Sequence, residues 1–145
     1  MKKILVTTLF AAMLPQLAEA APKNIIYMIG DGMGPAYLSA YRYYQDNPST
    51  KAVESTIYDE LWVGVASTYP DDDTIVTDSA AGATALATHI KSYTGAISVN
   101  HQHQPLTTML EIAKAKGMHT GIVATSQINH ATPASFMAHN KHRKN

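Results

Sequence analysis

The chain has 145 residues, 46% of them hydrophobic, enough for one ordinary domain with one core. Eleven basic side chains balance eleven acidic ones, so no basic field exists to attract nucleic acid or an anionic membrane surface, and any bound anion must be held locally. Cysteine is absent, so even an oxidising compartment would supply no disulfide.

Residues 1–20, "MKKILVTTLFAAMLPQLAEA", open with Lys2 and Lys3, continue with an apolar run from Ile4 to Leu14, and end on the small-x-small triplet Ala18-Glu19-Ala20. This is the pattern of a secretory signal peptide cut after Ala20, which predicts a periplasmic or secreted chain covering 21–145. The apolar run falls short of the roughly 20 residues that span a bilayer, so no membrane anchor is expected. Next, "KNIIYMIGDGMG" places a short apolar run, Ile25 to Ile29, before glycines, as in a buried strand entering a tight loop. Pro35 to Gln45 suits a helix with proline in its first turn, and Tyr37, Tyr41 and Tyr44 share one face, read as its buried side. "QDNPSTK" reads as a loop, "LWVGVASTYP" as a strand, and Asp71-Asp72-Asp73 as a solvated acidic turn rather than a calcium site.

A candidate strand at Thr74–Thr77 leads to a helix from Ser79. "PLTTMLEIAKAKG" predicts an amphipathic helix with Leu106, Met109, Leu110 and Ala113 on one face and Gly117 as its stop. "HTGIVATS" predicts a strand, and "ATPASFMAHNKHRKN" a helix capped by Thr132 with Pro133 at its first position. Alternating strands and helices argue for an α/β fold, a mostly parallel central sheet flanked by helices. In such folds chemistry gathers where loops leave the carboxyl ends of strands, which is where Asp31, Ser79, His130 and Thr132 fall.

"GDGMG" at 30–34 fails the dinucleotide spacing G-x-G-x-x-G, and a carboxylate in that turn would repel a pyrophosphate. Asp31 is therefore either a turn former or a metal ligand whose neighbouring glycines allow close approach. Ser79 is equally two-sided. At a helix start a serine is an N-cap, or a nucleophile whose phosphoryl adduct the helix N-terminus stabilises. The bare run Ala80-Ala81-Gly82-Ala83 reads as leaving room around it, and the elbow G-x-S-x-G is absent, which disfavours acyl transfer. His101 and His103 lie in a polar loop and read as solvated, while His89, His119, His139 and His142 have no partner visible from spacing.

"NIIYMIGDGMG", "VTDSAAGATALATH" and "NHATPASFMAHNKHR", in that order, closely resemble three signatures of the secreted bacterial alkaline phosphatase family, and "GAISVN" and "PLTTMLEIAKAKGMHTGIVATS" match the pattern between them. The resemblance implies phosphate monoester hydrolysis through a phosphoserine on Ser79, with two zinc ions and one magnesium ion. It implies that Asp31 is a carboxylate shared by metal sites, that Thr132 is a ligand of the magnesium-type site, and that Arg143 grips two phosphate oxygens. Asp78 is then expected to orient Arg143, whose planar fork matches a phosphate bidentately. His130 stands where many members carry aspartate. A neutral imidazole partners hydrated magnesium less well than a carboxylate does, so His130 is expected just outside the ligand shell of a weakened magnesium site.

The family's later zinc ligands, an Asp-x-x-x-His pair, an Asp-His pair and a late histidine, have no match here. The expectation is a truncated N-terminal portion, inactive by itself because each zinc wants about four ligands, with apolar sheet edges exposed. Phosphate monoesters and inorganic phosphate are the expected partners, and a homodimer the expected assembly once complete. The competing readings are a phosphodiesterase, sulfatase or phosphoglycerate mutase of the same superfamily, or a non-catalytic secreted fragment. The "DSAAGATA" context and Arg143 favour the monoesterase.

Overall fold

Capping chemistry sets most of the helix boundaries in the computed structural model, which describes residues 22–145. The expected signal peptide, residues 1–20, lies outside those described residues. Helix α1 runs Pro35–Gln45, with Pro35 at its first position as its sequence predicts. Helix α2, Ile57–Leu61, rests on a capping box in which Thr56 and Asp59 exchange side-chain and backbone bonds. It takes Leu61 out of the segment expected as a strand. Asp59 also forms a fork with the Arg42 guanidinium, Nε lying 2.9 and 3.0 Å from its two oxygens, which ties α2 to α1.

Helix α3, Ser79–Thr88, is capped by Asp78, whose Oδ1 accepts from the Ala81 N–H at 2.9 Å. It closes on His89, at φ 62°, whose N–H reaches the Ala85 carbonyl. Helix α4, Met109–Ala115, is shorter than the predicted one because Thr108 and Glu111 form a second capping box that starts it late. Gly117, at φ +77°, ends that segment in the left-handed region where glycine costs least. Helix α5, Ala131–Met137, begins two residues earlier than expected and stops short of Arg143: His130 occupies the cap, without a side-chain bond to the backbone, and Thr132 sits in the first turn. Thr132 is therefore not the cap, and its hydroxyl is used elsewhere.

The core lies between α3 and α5. Ala80 packs with Ile97, Ala131 and Ala134, while Ala83 and Ala87 pack with Phe136, bordered by Ile29, Leu86, Met109, Leu110 and Ile122. This corrects the reading of the bare run after Ser79. Ala80, Ala81 and Ala83 are buried, so their small size serves close helix approach and does not open space around the serine. Buried Thr84 adds a polar tie, accepting from the Ser98 N–H and donating to the Ala96 carbonyl, both at 2.9 Å.

The expected sheet is not present among the described residues, where backbone pairing is limited to two antiparallel bridges, Ile97 with Asn140 and Val99 with Pro105. The segments predicted as strands carry the right side chains but have no neighbouring ladder, and Val63 and Val123 stand essentially fully exposed. The tyrosine face of α1 is also not buried. Tyr37 and Tyr44 are 64% and 87% exposed, and Tyr41 meets only the edge of Tyr58 at 5.9 Å between ring centres. An amphipathic stripe records what a helix was selected to cover, and nothing among the described residues covers this one.

Candidate active site

The GDGMG turn, the start of α3 and the first turn of α5 meet at one carboxylate. Ser79 Oγ donates to Asp31 Oδ1 at 2.9 Å, and Thr132 Oγ1 donates to Asp31 Oδ2 at 3.1 Å. The three side chains come from positions 48 and 101 apart in sequence, in a solvent-open setting. Because Asp78 holds the cap of α3, the Ser79 hydroxyl is released from capping and is spent on Asp31 instead. Its O–H points at the carboxylate, which leaves the Oγ lone pairs facing away from Asp31.

Beside it, Arg143 Nη1 donates to Asp78 Oδ2 at 3.0 Å, with both side chains about three-quarters buried. Burial works against the Asp78 charge, but the Ala81 N–H, the Arg143 guanidinium and the Gly95 N–H outweigh it and hold the carboxyl below its ordinary value. Asp78 thus caps the serine's helix with one oxygen and holds the arginine with the other. His130 is exposed at the cap of α5, two residues from Thr132.

Sequence spacing missed two fixed points of the fold, one at this site and one away from it. The first is Gly95, whose N–H reaches Asp78 Oδ1 at 3.2 Å and whose carbonyl accepts from the Arg143 N–H at 2.8 Å. At its φ of +92° any side chain is strained, and an added Cβ, 2.7 Å from His142 Nε2, would push that ring aside. The second is His139, which bonds the Ser98 carbonyl through Nδ1 at 2.8 Å and Glu111 Oε1 through Nε2 at 3.0 Å. The capping box Thr108-x-x-Glu111 was the available signal for a fixed carboxylate, though not for which histidine would meet it.

Both partners of His139 are acceptors, so only the doubly protonated ring satisfies both. Partial burial opposes that proton, yet the Glu111 and Ser98 bonds prevail and raise the His139 pKa. The Thr108 N–H and His139 lower that of Glu111. The histidine's contribution is complete below its ordinary 6.5 and fades as pH rises through its raised value, and the glutamate's is complete above its ordinary 4.5. We expect His139→Gln to lower thermal stability most between those values and much less at about pH 9. A gap constant with pH across a melting series would contradict the pairing.

The donor set suits a cation only in part. Asp31, Ser79 and Thr132 offer hard oxygens around one point, which fits a single ion of the magnesium type or one carboxylate arm of a shared site. Two zinc ions would need nitrogen and oxygen donors that are not gathered here, since no group of three or more histidine, cysteine or acidic residues forms a metal cluster among the described residues.

The Ser79 hydroxyl is thus held on a carboxylate at a helix start, next in sequence to the Asp78 that fixes Arg143. The family model described as Alkaline phosphatase matches residues 22–145, and the chain belongs to that family. It is 56% identical over 124 residues to alkaline phosphatase 3 of Bacillus subtilis, covering 85% of this chain and 27% of that protein. The crystal structure of a cold-active alkaline phosphatase from a psychrophilic Shewanella is 62% identical, with TM-score 0.78 over 81% of this chain and 30% of that one. A histidine-to-glutamate variant of the TAB5 alkaline phosphatase, solved with magnesium bound in its M3 site, is 36% identical, with TM-score 0.66 over 79% of this chain and 31% of that one. The chain thus spans somewhat under a third of the length of these relatives.

Proposed function

We propose that the protein containing this segment hydrolyses phosphate monoesters, with Ser79 as the nucleophile. The observation that carries this reading is the convergence of Ser79 and Thr132 on the two oxygens of Asp31. The Ser79 Oγ gives up its proton and forms a bond to phosphorus as the ester P–O bond breaks and the leaving oxygen departs, protonated, as the alcohol; water then cleaves the phosphoserine to release inorganic phosphate and restore the hydroxyl. Arg143, aimed by Asp78, holds two nonbridging phosphate oxygens, and the N-terminal end of α3 adds its partial positive charge. Asp31, Ser79 and Thr132 would contribute to holding the metal ions. When bound, those ions supply the charge that makes the hydroxyl nucleophilic and neutralises the leaving oxygen.

This reading places the remaining zinc ligands and the strands that complete a parallel sheet outside residues 22–145. The apolar segments left exposed at Ile25–Met28, Val63 and Val123 support it. Export follows from the sequence of residues 1–20, and among the described residues no helix is long and apolar enough to cross a membrane. The monoesterase is preferred over the superfamily's diesterases, sulfatases and mutases because of the family match over 22–145.

His130 sets the strength of the magnesium site. The TAB5 variant, in which an acid replaces a histidine and magnesium occupies M3, supports an acid favouring that ion. In the full-length protein, His130→Asp should lower the magnesium concentration for half-maximal activity by about tenfold. An unchanged magnesium titration would sink this assignment.

A further inference from the structure

We propose that Tyr93 and Gly95 are positioning residues for Arg143, forming a turn that mounts the phosphate-gripping arginine beside the start of α3. The inference rests on the phosphatase reading and deepens it. Arg143 lies just past α5, in a segment with no helix of its own to fix it, yet its backbone is held on both sides of His142. Tyr93 Oη donates to the Lys141 carbonyl at 2.7 Å, and the Arg143 N–H donates to the Gly95 carbonyl at 2.8 Å. Further back, Ile97 and Asn140 exchange both backbone bonds, at 3.0 and 2.8 Å. Gly95 also binds Asp78 through its N–H, so one residue fixes the arginine's backbone and the carboxylate that holds its guanidinium.

The outer side of the turn is braced by the two sequence features left idle by the chemistry. Asp72, in the acidic run, accepts from the Thr94 N–H at 2.6 Å, and the Asp71 N–H donates to the Ser92 carbonyl at 3.0 Å. His101 and His103 flank the Tyr93 ring at 5.5 and 5.8 Å, and Asp71 meets His101 at 3.4 Å. Both motifs are exposed, as their sequence predicts, and they also hold Tyr93 and Thr94 in place. A turn bonded on both sides transmits its position to Arg143, where a small shift breaks bidentate geometry.

Tyr93→Phe in the full-length protein tests this, because it keeps the ring between the imidazoles and removes only the hydroxyl. The inhibition constant for inorganic phosphate and the KM for a phosphate monoester should rise together by about threefold to tenfold, more than kcat changes. In an Arg143→Ala background, with no guanidinium left to aim, the same substitution should add nothing. Unaltered phosphate affinity, or an equal effect in both backgrounds, overturns the mount. Ser79→Ala serves as the control that separates the two claims. If it loses most of its turnover and Tyr93→Phe is silent, only the mount fails; if it keeps the parent's turnover, the phosphatase reading fails and the mount with it.

Discussion

Ser79→Ala should lower kcat/KM for a phosphate monoester by about a thousandfold or more in the full-length protein, with little change in stability. The two halves of that expectation come from one structural fact. Asp78, not Ser79, caps α3, so removing the hydroxyl leaves the Ala81 N–H satisfied and the helix start intact. What is lost is the hydroxyl held on Asp31 Oδ1. Some turnover should survive, because water can attack a phosphate still held by Arg143 and the metal ions, but no covalent intermediate should form. A steady-state assay with a chromogenic phosphate ester beside a melting curve checks both halves. A large loss of stability with a modest loss of turnover would return Ser79 to a structural role.

Asp31→Asn should be the second most damaging change, costing about a thousandfold in kcat/KM. The amide keeps the size of the carboxylate and one acceptor oxygen, so one of the bonds from Ser79 and Thr132 survives. It loses the second acceptor and the negative charge, and the charge is what a shared metal carboxylate supplies. The zinc concentration for half-maximal activity should rise, and added zinc should restore part of the lost rate. A variant with the parent's activity and metal requirement would show that Asp31 only shapes the turn.

Two of the five helix starts were legible in the sequence because they depend on local chemistry. Pro35 and the Asp78-Ser79 pair each marked a start correctly, and Gly117 marked an end. Thr132 failed as a cap for a reason that bears on function: its hydroxyl goes to Asp31, a partner 101 residues away that no local rule could supply. Strands were legible only as apolar segments, since a ladder needs a second segment and none of those predicted finds one among the described residues. The tyrosine face of α1 misled in the same way.

The site residues divide along the same line. Ser79 was balanced between cap and nucleophile until its order among the other signatures was considered, and the bonds at Asp78 now account for the cap separately. The small residues after it were assigned to the wrong need, since Ala80, Ala81 and Ala83 face the core. Gly95 and Tyr93 were invisible because they act through backbone carbonyls, which leave no mark in side-chain spacing.

The central claim is that Ser79 carries phosphate during turnover. Incubating the full-length protein with radiolabelled phosphate ester, denaturing it and mapping the labelled peptide by mass spectrometry tests this directly. The label should lie on the peptide containing Asp78-Ser79-Ala80 and be absent from Ser79→Ala. Label on another residue, or label retained by the alanine variant, would contradict the account.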